Sequence, residues 1–172
     1  MTITEKDKIS NRLNFSTIMN TTHQIAKHFR EVYFGGNWTY SNLKENLTGV
    51  TVEQANKQID SINTIATLVY HMHYYVRTVT KVLRGEQLNS SDKQSFEHPP
   101  FTTQKDWDDF LEKVWTEAEE FALLVEKLPD SILAENIADP KYGIYYRNLH
   151  GIIEHTHYHL GQIAVLKKLI TI

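Results

Sequence analysis

Residues 147–169 read RNLHGIIEHTHYHLGQIAVLKKL, and this stretch decides the fold. His155 and His159 are four positions apart, so in a helix they project from one face, one turn from each other. Ile152, Ile163, Leu166 and Ile170 share that stripe, which makes it the face a helix turns toward a core. His157 stands two residues from each of the pair, about 200° round the axis, and is expected at the surface. A helix with imidazoles on its apolar stripe needs partner elements, and the rest of the chain offers helices.

Working back toward the N-terminus, glycine and proline divide the 172 residues into four long segments. From Ser10 to Phe34, Leu13, Phe15, Ile18, Ile25, Phe29 and Val32 recur at helical spacing, and Gly35-Gly36 closes the segment. YSNLKENL then reads as a short helical turn ending at Gly49. Thr51 and Gln54 form a capping box, the start signal for a helix carrying Ile59, Ile62, Ala66, Val69, Met72, Val76, Val79 and Leu83 to a stop at Gly85. Such a helix would extend about 50 Å at 1.5 Å per residue. EQLNSSDKQSFEHPPF reads as a loop because Pro99-Pro100 cannot continue a helix. Thr103 opens a third helix to about Leu128, with Trp107, Phe110, Leu111, Val114, Ala118, Phe121 and Leu124 on one face and Pro129 beyond it. The last helix spans roughly Tyr146 to Leu169. No segment alternates with period two, so the expectation is an all-α protein, a four-helix bundle in a single domain over residues 1–172.

Composition narrows the chemistry. The formal charge is −3, from 21 acidic and 18 basic side chains with no basic cluster, which argues against nucleic acid as a partner. There is no cysteine, so disulfides, thiolate catalysis and Cys-ligated zinc are excluded, and a transition-metal site must use His, Asp or Glu. The polar start MTITEKDKISNRLNF lacks a signal-peptide core, and no apolar run approaches the roughly 20 residues of a membrane span. A cytoplasmic protein without a membrane partner is expected.

The nine histidines are the unusual feature. A pair four apart on one helix face is the spacing by which a helix offers two ligands to one metal. Chance alone gives about half of one such pair in a chain with nine histidines in 172 residues, so spacing leaves open two core-edge histidines bonded to water or backbone. The zinc-protease pattern H-E-x-x-H is absent, since Thr156 stands where its Glu would be and Glu154 lies about 100° off the pair. The longest segment supplies His71 and His73, which face opposite ways. His71 lies beside the Met72/Val76 stripe and is admissible as a third ligand or as a satisfied histidine, while His73 is expected on the outer side. Three imidazoles with an open position make a site of catalytic type.

Lesser signals surround this set. Gln162, one turn after His159, could orient it, and Gly161 would let another helix approach. Trp38 could line a pocket or anchor packing. Tyr74, Tyr75, Tyr145 and Tyr146 could donate hydrogen bonds in a site, although a buried ring with a wet hydroxyl is the usual arrangement. Arg77, Arg84 and Arg147 are the arginines near these helices, with Arg77 nearest a ligand in sequence. His23, His28, His98 and His150 have no evident partner.

HTHYHLGQIAVLKKL resembles the H-x-x-x-H-x-G-Q-I signature of the DinB/YfiT-like superfamily. SINTIATLVYHMHYYVRTVTKVLRGE is similar to its second helix, where a histidine precedes an aromatic pair, and GGNWTYSNLKENLTGVTVEQA to a linker of many bacterial members. The likeness covers most of the chain in the right order. It implies a four-helix bundle of variant up-and-down topology, with His71, His155 and His159 as ligands of a divalent metal ion, nickel or zinc. It further implies a small-molecule substrate, in some relatives a low-molecular-weight thiol, and a homodimer through helix faces. Three classes of function stand: an enzyme activating a water or a substrate thiol, hence a thiol transferase or hydrolase; a non-catalytic metal- or ligand-binding bundle; and a scaffolding bundle without metal, which requires the three-histidine coincidence to be accidental. An open coordination position beside a cavity separates the first from the second.

Overall fold

The computed structural model describes residues 20–171. Leu13, Phe15 and Ile18, with the expected helix start at Ser10, lie outside the described residues. Within them the chain is all-α: seven helices, no strand, and only the isolated bridges Ile59–Ile62 and Asn136–Ile144.

Helix starts are set by short polar side chains that take up free backbone N–H groups. Asn20 caps α1 (Thr21–Phe34), whose first N–H groups at Thr21 and Thr22 also donate to the Asp130 carboxylate at 2.8 and 3.0 Å. Gly35, at φ 112°, ends it in a conformation that other residues rarely adopt. Asn42 caps α2 (Leu43–Leu47), and the Thr51–Gln54 capping box opens α3 (Val52–Asn56). The expected 50 Å helix breaks here. After Lys57 the chain turns through Asp60 at φ 47°, a conformation Asp tolerates better than most, and Ile62 donates back to Ile59. Thr64 then accepts the Thr67 N–H at 3.1 Å and starts α4 (Ile65–Leu83). This N-cap inside the apolar pattern explains why Ile59 and Ile62 never join the stripe. The segment read as a loop contains a short helix, α5 (Asp92–Ser95), capped by Ser91. Thr103 and Asp106 form the capping box of α6 (Gln104–Glu126), and two 3-10 turns, Asp130–Ala134 and Pro140–Tyr142, lead into α7 (Tyr145–Thr171).

The four longer helices touch in a closed ring, α1 on α6, α6 on α4, α4 on α7 and α7 on α1. Phe29, Tyr33, Trp107, Phe121, Leu149 and Ile163 are fully buried between them. Trp107 donates its indole N–H to Val50 at 3.0 Å, so the ring stays dry without an unpaired donor. Arg30 ties α1 to α6 through Glu119 and Glu126 at 2.8 and 2.6 Å. Because α4 packs on α6 as well as on α7, two of its faces are covered. His73 therefore lies in the interior at 2% exposure instead of on the outer side. Its Nε2 lies 2.6 Å from the Glu117 carboxylate of α6, its Nδ1 has no partner among the described residues, and burial lowers its pKa.

Candidate metal centre

Helices α4 and α7 bring His71 to His155, 84 residues later in sequence, and to His159, four further on. Nε2 of His155 is 3.0 Å from Nε2 of His71 and 3.0 Å from Nε2 of His159. All three residues offer a ligand atom within 4.8 Å of the others, His71 and His159 buried and His155 half-buried. This is the one such group of three or more metal-ligating side chains among the described residues.

Neighbouring side chains settle which nitrogen carries the proton. Ser95 Oγ donates to the Asp92 carbonyl at 2.6 Å, which uses its single hydrogen. It must then accept from His71 Nδ1 at 2.7 Å, so His71 carries its proton on Nδ1 and a lone pair on Nε2. Gln162 Oε1 accepts from His159 Nδ1 at 2.6 Å with the same consequence. Two lone pairs thus face His155 Nε2, and a neutral His155 can supply a proton to one of them at most. At least one of the two 3.0 Å contacts is therefore left without a proton, and a cation among the nitrogens satisfies the unpaired acceptors. Imidazole nitrogens about 2.05 Å from a tetrahedral ion stand about 3.3 Å apart, close to the observed spacing. The donor set fits a divalent metal ion.

Electrostatics favour the same state. Burial, then the His159 imidazole, push the His71 pKa down to about 4. Burial, then His159 and His71, push His155 down to about 4 as well. His159 is lowered by burial against the opposing Gln162 bond. The three imidazoles are therefore neutral at pH 7, the state in which imidazole can bind a metal. Rings hold the cluster in place: Phe96 stacks on His71 at 3.9 Å, and Tyr75 meets His71 and His155 edge-on at 5.2 Å each.

A cavity of about 500 Å³ opens directly beside His71 and His155. Val79, Leu88 and Ile152 give it an apolar side, while Asp92, Glu154 and Arg147 give it charge. Tyr75 donates its hydroxyl to Asp92 at 3.0 Å; burial, then that bond, raise its pKa, so it stays a phenol.

The side chains singled out in the sequence separate into those that join the site and those that do not. His71, His155, His159 and Gln162 come together. His157 points away, half-buried, its ring 5.9 Å from His28. Trp38 is 95% exposed and so does not anchor packing among the described residues. No side chain or other helix among the described residues comes within 4 Å of where a Gly161 Cβ would stand. Of the arginines, Arg147 rather than Arg77 borders the cavity, and Arg77 lies 3.6 Å from Glu117 elsewhere. Tyr74 accepts the Ser91 N–H at 2.9 Å instead of reaching the site. Ser95 and Asp92 were hidden in the presumed loop. The Ser91-Asp92 start with Gln94 following is the capping signal that could have exposed them.

Searches of protein-family models, of curated proteins and of solved structures find no match to this chain. What fold and site define together is an all-helical protein with a three-histidine cluster that could hold a metal ion. No helix among the described residues is long and apolar enough to cross a membrane.

Proposed function

We propose that the chain is a DinB/YfiT-like four-helix bundle, one domain over residues 1–172, that holds a divalent metal ion, nickel or zinc, on His71, His155 and His159. We further propose that it is an enzyme acting on a small molecule in the adjoining cavity, by thiol transfer or hydrolysis. The observation that carries the reading is the convergence of three Nε2 atoms with protons enough for one of them at most.

An ion on three neutral imidazoles supplies Lewis acidity, lowering the pKa of a water or thiol at its free position. The chain's own residues do the rest. Ser95 and Gln162 keep the Nε2 lone pairs aimed at one point by fixing the protons on the opposite nitrogens. Phe96 and Tyr75 keep the rings from turning. Val79, Leu88 and Ile152 shield the substrate's apolar part from water, and Arg147 attracts a negative end. The Glu154 carboxylate, exposed on the cavity wall, is placed to take the released proton. No fourth protein ligand closes the cluster among the described residues, and this favours catalysis over a structural role.

The test is metal content by elemental analysis of tag-free protein, for wild type, His71→Ala and His155→Ala. One nickel or zinc per wild-type chain, lost in both variants, is expected. A wild type that stays metal-free after incubation with either ion overturns the reading.

A further inference from the structure

Helix α4 carries a second polar face beside the one that bears His71. Tyr70, Tyr74, Arg77 and Lys81 follow at three- and four-residue spacing and therefore line up on one side. Beyond the helix, residues 86–91 run outside any helix, and from Gln87 to Ser90 successive side chains go to opposite sides. Leu88 and Ser90 line the histidine cavity, whereas Gln87 and Asn89 line a second cavity, also about 500 Å³. The strap is thus a partition, and the two cavities share the side chain of Thr78 alone.

The second cavity is polar, and most of its donors are unspent. Among the described residues the Arg77 side chain pairs with Glu117 alone, at 3.6 Å, and that carboxylate also serves His73 at 2.6 Å and Lys113 at 3.7 Å. Lys81 has no side-chain partner among the described residues. The Tyr74 oxygen accepts the Ser91 N–H, which leaves its own hydrogen free to donate. The amides of Asn89 and Gln94 are likewise unpaired among the described residues. Arg77 and Lys81, with Lys113 behind them, against the carboxylates of Glu86 and Glu117 leave one net positive charge, and amides and a phenol beside them match a row of hydroxyls.

We propose that this cavity is a second ligand site and that it takes a small polyhydroxylated anion of the sugar-phosphate class. The cations hold the anionic group, and Asn89, Gln94 and Tyr74 hold the hydroxyls. A volume of about 500 Å³ lies within the range of small-molecule sites. The site is independent of the metal reading, because none of these groups touches the three histidines.

Calorimetry on the full chain with glucose 6-phosphate tests it, with glucose as the uncharged comparison. Saturable binding of the phosphate ester and at least tenfold weaker binding of glucose are expected. Lys81→Gln and Arg77→Gln should each weaken the phosphate ester about tenfold, the effect of one charge-assisted hydrogen bond. Lys81 is exposed and its side chain pairs with nothing among the described residues, so its replacement leaves the fold intact. His155→Ala should leave the affinity unchanged, which separates this site from the histidine cavity. The proposal is overturned by no saturable binding up to about 10 mM. It is equally overturned by equal affinity for glucose, by an unchanged Lys81→Gln, or by loss of binding in His155→Ala.

Discussion

Replacing Ser95 by alanine removes one oxygen from a fully buried position, yet its effect should be read at the metal. That oxygen accepts the His71 Nδ1 proton at 2.7 Å while its own hydrogen is committed to the Asp92 carbonyl. Without it the Nδ1–H loses its acceptor, and leaving a buried donor unpaired costs about 1–3 kcal/mol. His71 can escape that cost by moving its proton to Nε2, where it bonds to His155 and no longer offers a lone pair. Metal binding must then reverse the tautomer and restore the unpaired donor. Loss of such an outer partner weakens metal affinity by about 10–100-fold, or about 1.4–2.7 kcal/mol. Competition between the protein and a chelator of known affinity for zinc or nickel measures the change. Ser90→Ala, on the same cavity wall without a histidine contact, is the comparison and should shift affinity less than about threefold. Nitrogen-15 spectra of the metal-free protein report the tautomer directly, with the proton on Nδ1 in wild type. If Ser95→Ala binds metal within about twofold of wild type, or if wild-type His71 carries its proton on Nε2, the tautomer argument fails.

The remaining predictions concern stability and the surface. In metal-free protein the folded pKa values of His71 and His155, about 4, lie below the unfolded value near 6.5, so the unfolded chain binds more protons between those limits. The melting temperature should therefore fall as pH drops from about 6.5 to about 4, and the double variant His71→Gln/His155→Gln should flatten that slope. Thr64→Ala removes the cap of α4 and should cost about 1 kcal/mol in urea unfolding; a loss below about 0.3 would mean the break before Ile65 has another cause. Trp38→Ala should change stability by less than about 0.5 kcal/mol, because the ring touches almost nothing.

The amino-acid sequence by itself determined what local periodicity and capping can encode. His155, His159 and Gln162 lie within two turns of one helix, so their common face follows from 3.6 residues per turn. Thr51, Thr103, Gly35 and Pro129 mark helix limits through their own backbone and side-chain chemistry. Where a local signal competed with a pattern, the pattern misled: the apolar stripe ran through residues 59–62, yet the Thr64 cap and Asp60 turn divide the segment. The tertiary structure alone decided the rest. His71 meets His155 because α4 packs on α7, and Ser95 meets His71 because a four-residue helix folds back over 24 positions. The burial of His73 depends on α6 covering a second face of α4. None of these contacts leaves a trace in residue spacing, because they join segments whose relative position is set by the packing of whole helices.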